Sequence, residues 1–172
     1  MSTTFGIDLL LNDKSPNNLT DSEFVDMYER LRLRVHCTLR SSDRTVIMVY
    51  KSSVHAPIAC LEFGAEHALG TVKVAGQESV PMNDYLTRVS RNSRVRKFVA
   101  SDGQTYTWSY EGGDETEWQC LNSRSYSVAT YVVNKTANPT QGMVAVDEKY
   151  IHIAGELLVS LIIMRHILKY NL

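Results

Sequence analysis

Between Leu31 and Arg40 apolar and polar residues alternate without a break. Leu31, Leu33, Val35, Cys37 and Leu39 share one face, and Arg32, Arg34, His36, Thr38 and Arg40 share the other. A period of two belongs to a strand with one buried face. The outward set is mostly basic, so that face meets water or an acidic partner. Ser41-Ser42-Asp43 then breaks the pattern, and the β-branched run from Arg44 to Tyr50 predicts a second strand pairing back as a hairpin. Further strands are expected over Ile58 to Phe63, after Pro57, and over Leu69 to Val74. Residues 1–25 carry no comparable pattern and are expected to form an irregular N-terminal segment.

Pro81 precedes Met82, Tyr85, Leu86 and Val89, whose spacing predicts a short helix over 82–90. The next segment reads KFVA, SDGQ, YTWSY, and Asp102-Gly103 between two apolar runs predicts a tight type I′ hairpin. Thr116 to Leu121 and Tyr126 to Val133 form another expected strand pair around the turn-prone Asn122 to Ser125. A short strand from Met143 to Val146 follows. From Tyr150 to Tyr170 the chain is apolar around most of a helical circumference, which predicts a helix enclosed by the rest of the fold. Glu156 and Arg165 leave only Leu157 to Met164 between them, too short a stretch to cross a bilayer of about 30 Å.

The pattern therefore predicts one β-rich (α+β) domain over 1–172, completed by a buried C-terminal helix. Composition agrees: 172 residues with 44% hydrophobic and 22% charged side chains can form a single core. Eighteen basic and nineteen acidic residues give a net charge of −1, which supplies no global field for nucleic acid or an anionic membrane. Cys37, Cys60 and Cys120 are too few and too scattered for a disulfide scaffold. The first residues lack the basic start and long apolar core of a secretory signal. Sequons at Asn18 and Asn134 would become glycosylation sites only in a secreted chain.

No catalytic constellation stands out. The five histidines form neither HExxH nor HxH, and no GxSxG elbow, GxGxxG or phosphate loop occurs, so no metal or cofactor is expected. His152 and Glu156 stand one helical turn apart and read as a polar contact rather than an acid–base pair. EGGD at 111–114 reads as a turn, and Glu111, Asp114, Glu115 and Glu117 as a solvated acidic loop without calcium-loop spacing. Arg88, Arg91, Arg94, Arg96 and Lys97 lie beside an aromatic hairpin, a combination that can bind nucleic acid but that also serves cross-strand packing.

Arg96, Phe98, Ser101, Asp102, Gly103, Tyr106 and Trp108 make up a signature that resembles a domain family of unknown function abundant in mushroom-forming fungi. That family is similar to the tubby C-terminal and LURP-one type of fold. The resemblance implies a closed antiparallel β-barrel, or a strongly curved sheet, around the hydrophobic helix. The chain also looks like the small subunits of the two-subunit laccases of oyster mushrooms. That similarity implies a non-enzymatic, copper-free accessory subunit, secreted, which stabilises or modulates a larger catalytic partner; otherwise a cytoplasmic location is expected. An obligate subunit should present aromatic anchors, and Tyr50, Tyr85, Tyr110, Trp118 and Tyr131 are the candidates. The alternative implied by the tubby-like resemblance is a phospholipid or membrane-surface module using Arg32, Arg34 and Arg40. No small-molecule substrate is evident.

Overall fold

A computed structural model describes residues 8–18, 20–51, 55–92, 94–111 and 117–172. Thirteen strands form one antiparallel sheet: β1 (Leu9–Asp13), β2 (Asp21–Asp26), β3 (Arg32–Arg40), β4 (Arg44–Lys51), β5 (Ala59–Gly64), β6 (Thr71–Val74), β7 (Val80–Pro81), β8 (Thr87–Arg88), β9 (Val95–Val99), β10 (Thr105–Glu111), β11 (Glu117–Asn122), β12 (Ser127–Asn134) and β13 (Gln141–Val146). One turn of helix, α1 (Met82–Tyr85), joins β7 to β8. A 3₁₀ turn (Glu148–Ile153) leads into the terminal helix α2 (Ala154–Tyr170).

The strand order is β7-β6-β5-β4-β3-β2-β1-β13-β12-β11-β10-β9-β8. It consists of two meanders, one running down from β1 and one from β13, sewn together where β1 pairs antiparallel with β13. The edges are β7 and β8, and among the described residues no hydrogen-bonded ladder joins them, so the sheet is not a closed barrel. Flat, thirteen strands at about 4.8 Å spacing would span roughly 55–60 Å. The six residue-to-residue steps from Pro81 to Thr87 reach about 20 Å at most, and less when some are helical. The sheet must therefore curl until its edges nearly meet, with α1 bridging the gap.

Inside the curl lies α2. Its side chains from Leu157 to Met164 are all buried, including Ser160, and they meet both meanders. His166 stacks on Phe63 of β5, while the Ser160 hydroxyl accepts from the Trp108 indole of β10. The inward residues of the strands (Leu33, Val35, Ile47, Val49, Leu61, Trp108, Cys120 and Val144 among them) supply the surrounding core. A helix lined all round by sheet has no polar face to spare, which explains its near-uniform apolar sequence. Asn171 ends it in the left-handed conformation (φ 53°), with the Leu172 N–H returning to the Ile167 carbonyl.

Four expectations need correction. The stretch 1–25 is not irregular throughout, because β1 and most of β2 lie in it. Leu9, Leu11 and Phe24 point inward there, but runs of five or six residues give too few periods to read without their partners. The helix expected over 82–90 stops at Tyr85, because the chain turns back to pair Thr87 and Arg88 with Lys97 and Arg96. The hairpin at Asp102-Gly103 is not type I′: Gly103 has positive φ (76°) but Asp102 does not. With the Gly103 N–H donating to Ala100 O and the Ala100 N–H to Gln104 O, it is a three-residue loop ending in a left-handed glycine bulge. Fourth, the alternation of β3 does not survive to its end. Two residues oppose one between Cys37 and Leu39, so Leu39 pairs with Val46 and Arg40 with Thr45.

Candidate functional site

The signature residues of the β9–β10 hairpin turn out to hold the fold together. The Asp102 carboxylate accepts from the Tyr106 hydroxyl at 2.7 Å and from the Gln104 N–H at 2.9 Å, and it lies 3.1 Å from His152 Nε2. Burial pushes the Asp102 carboxyl up, but these hydrogen bonds outweigh it and leave it below its ordinary value. The Ser101 N–H donates to both Glu156 carboxylate oxygens, the shorter contact being 2.8 Å. Trp108 Nε1 donates to Ser160 Oγ at 2.8 Å. His152 and Glu156 thus reach back to one hairpin rather than to each other, and three of its residues fix the start of α2. Phe98 and Tyr106 pack their rings 5.7 Å apart.

Arg96, the remaining signature residue, is buried, and its Nη1 donates to Asn83 Oδ1 at 3.0 Å and to the Leu86 carbonyl at 3.1 Å. It ties β9 to the α1 bridge, so it does not belong to an exposed basic surface with Arg88, Arg91, Arg94 and Lys97. Burial lowers the pKa of its guanidinium. A second buried polar knot lies across the molecule. Tyr131 donates to Asp13 Oδ2 at 2.9 Å, the Arg165 guanidinium covers the Tyr131 ring at 4.7 Å, and Ser22 donates to Asp13 Oδ1. It links β1, β2, β12 and α2.

The proposed aromatic anchors separate. Trp118 and Tyr131 are buried in the chain's own core and present no surface to a partner. The Tyr85 and Tyr110 hydroxyls are also buried, leaving these rings half-covered. Tyr50 alone of the five has an outer-face position, with the Arg34 guanidinium 5.0 Å above its ring. Ile47 and Val49 point inward, so Val46, Met48 and Tyr50 form an outward column on β4. Leu39 flanks Val46 on β3, and Cys60 flanks Met48 on β5. Around this half-exposed apolar stripe stand Arg34, His36, Glu62 and Lys73.

The three arginines assigned to one basic face do not share it. Arg32 and Arg34 point outward, and Arg32 pairs with Glu23 at 2.9 Å. Arg40, shifted in phase by the bulge, shares the inward face of Thr45 and lines the rim of the curl. The strict alternation in the sequence hid this, because nothing in the residue types marks where a bulge falls.

At that rim lies a cavity of about 400 Å³ between the C-terminal end of α2 and the loop preceding β2. Ile47, Phe63 and Ile162 form apolar walls, and Arg40, His67, His166 and Lys169 bring the ionisable groups. His166 sits in a ring stack, 4.0 Å from Phe63 and 4.7 Å from Tyr170 between centroids. His67 stacks on Tyr170 at 3.9 Å. The His166 Nε2–H donates to the His67 carbonyl at 2.7 Å, and burial pushes its pKa down, so this ring is neutral near pH 7. None of these four residues was singled out for a cavity from the sequence. The available signal was the interruption of an apolar helix by His166, Lys169 and Tyr170.

Cys37, Cys60 and Cys120 are free thiols, and burial raises the Cys120 pKa strongly. Among the described residues no three metal-ligating side chains converge. Asn18 and Asn134 are exposed, each accepting from the N–H and hydroxyl of the threonine two residues on. Asp114, Glu115 and the centre of the EGGD turn lie outside the described residues. The segment Glu148–Tyr170 is long and apolar enough to cross a membrane by length and composition, but most of it is packed inside the sheet.

A family model described as a family of unknown function (DUF6593) matches residues 15–170, from the loop before β2 to the last residue of α2. No curated protein and no solved structure matches the chain.

Proposed function

The chain belongs to the family of unknown function DUF6593, and from that premise we propose that it is a non-catalytic accessory subunit that binds and stabilises or modulates a larger protein. One observation carries the reading. The outward column Val46, Met48 and Tyr50, flanked by Leu39 and Cys60, is an apolar stripe that no other element of the chain covers among the described residues, and charged groups rim it. Apolar centres with charged rims are the common anatomy of protein docking faces. The family signature supports the non-catalytic part: its polar groups are engaged in holding the hairpin to α2 and to α1.

The resemblance of the sequence to mushroom laccase small subunits suggests a copper-containing laccase large subunit as that partner. Such a pairing implies a fungal heterodimer outside the cell. The exposed sequons at Asn18 and Asn134 are compatible with it. Tagged chain purified separately from culture fluid and cell extract of the source organism tests the proposal. A larger protein recovered in stoichiometric amount supports it, and a laccase-sized copper protein in the medium supports the narrower pairing. A monomer in both fractions overturns both.

A further inference from the structure

We propose that the cavity at the C-terminal end of α2 binds an amphiphilic organic carboxylate, its head group between Arg40 and Lys169 and its hydrocarbon part on Ile47, Phe63 and Ile162. The site lies inside the rim of the curl, away from the outer stripe of β4, and does not depend on the accessory-subunit reading.

Charge comes first. Among the described residues no carboxylate lines the cavity, and neither Arg40 nor Lys169 has an acidic partner. A helix C-terminus contributes about −0.5 of an elementary charge, which would disfavour an anion. Two full positive charges outweigh it. The adjoining cleft of about 210 Å³ shares Asn17 and Lys169 with the cavity, but its Arg165 is paired with Asp13 and adds no free charge.

Geometry comes second. Arg40 is outward by sequence pattern and reaches the rim only because of the bulge after Cys37. Its Nη2 donates to Thr20 Oγ1 at 2.6 Å, which steadies the guanidinium at the cavity mouth and leaves other N–H groups for a planar carboxylate. Behind it the walls are apolar and aromatic, and their stacked rings are preorganised. A volume of about 400 Å³ falls within the usual range of small-molecule sites. A free inorganic anion would use the cations and leave the apolar walls wet, so the ligand must carry both parts.

Calorimetric titration of the full chain with decanoate tests this. Saturable one-to-one binding is expected, with decanol at least ten-fold weaker and inorganic phosphate weaker still. R40Q and K169Q should each lose ten-fold or more in decanoate affinity with unchanged circular dichroism, whereas K149Q, at the far end of the molecule, should bind as the parent does. Absence of saturable binding, equal affinity for decanol, phosphate binding as tightly as decanoate, or undiminished binding by R40Q would overturn the proposal.

Discussion

Ser160→Ala isolates one bond between the hairpin signature and the enclosed helix. Trp108 and Ser160 are both fully buried, and the indole N–H donates to Ser160 Oγ at 2.8 Å. Removing the hydroxyl leaves that N–H in the core with no acceptor, at a cost of about 2 kcal/mol. Alanine is the better helix former by about 0.5 kcal/mol, which offsets part of the loss. The net destabilisation, about 1.5 kcal/mol, should lower the melting temperature by about 3–6 °C for a chain of this size. The cleaner readout is a double-mutant cycle. In a Trp108→Phe background the donor is gone, so Ser160→Ala should be neutral or slightly stabilising, giving a coupling of about 2 kcal/mol. Urea unfolding followed by circular dichroism measures all four proteins. An equal penalty for Ser160→Ala in both backgrounds would refute the claim that this bond pins the helix.

Other consequences are as direct. Gly70→Ala would place a methyl 2.0 Å from the Glu62 carbonyl oxygen, a backbone atom that cannot rotate away, and should cost about 3 kcal/mol or more in unfolding free energy, against about 1 kcal/mol for Gly76→Asn, which has open space but a left-handed φ of 79°. Tyr85→Phe removes a buried hydroxyl that has no hydrogen-bond partner among the described residues while keeping the ring against Phe98, and should raise stability by about 1 kcal/mol in the same unfolding assay. The Arg30 side chain, foremost, and the Arg30 and Leu10 backbone N–H groups hold the Asp26 carboxyl below its ordinary pKa. Its folded pKa is depressed, so its stabilisation is present in full above about pH 4 and is lost as the pH falls through the folded value. Asp26→Asn should therefore be less stable than the parent at pH 7, with the gap closing in acid titration. With an alkylating reagent at pH 8, mass spectrometry should find native Cys120 protected and Cys37 modified first, since Cys37 is only partly buried and burial raises the pKa of Cys60 as well as Cys120.

Strands with long apolar alternation were legible in the sequence: β3 to β6 and β9 to β13 fall close to where the pattern puts them, and α2 is the enclosed helix its composition demands. What was not legible depends on partners distant in the chain. β1 joins the two meanders by pairing with β13, more than a hundred residues away, and its five residues carry no period that stands alone. β7 and β8 are two residues each and exist because α1 and Arg96 bring the chain back. The bulge at Thr38 moves Arg40 to the other face while the sequence continues to alternate, so a surface of three arginines dissolved into two outward residues and one at the cavity rim. The cavity gathers residues from the loop before β2, from β3 to β5 and from the end of α2, and no window of the sequence contains them together.

The central claim, that this is a docking subunit whose outer β4 face meets a larger protein, is tested most directly by capturing partners with parent and Met48→Glu chains side by side. Met48 is the middle of the outward column and only partly covered, so the substitution should leave the melting temperature within a few degrees of the parent's. The account predicts that the stoichiometric partner retained by the parent is lost from the variant. A partner held equally by both chains would contradict it.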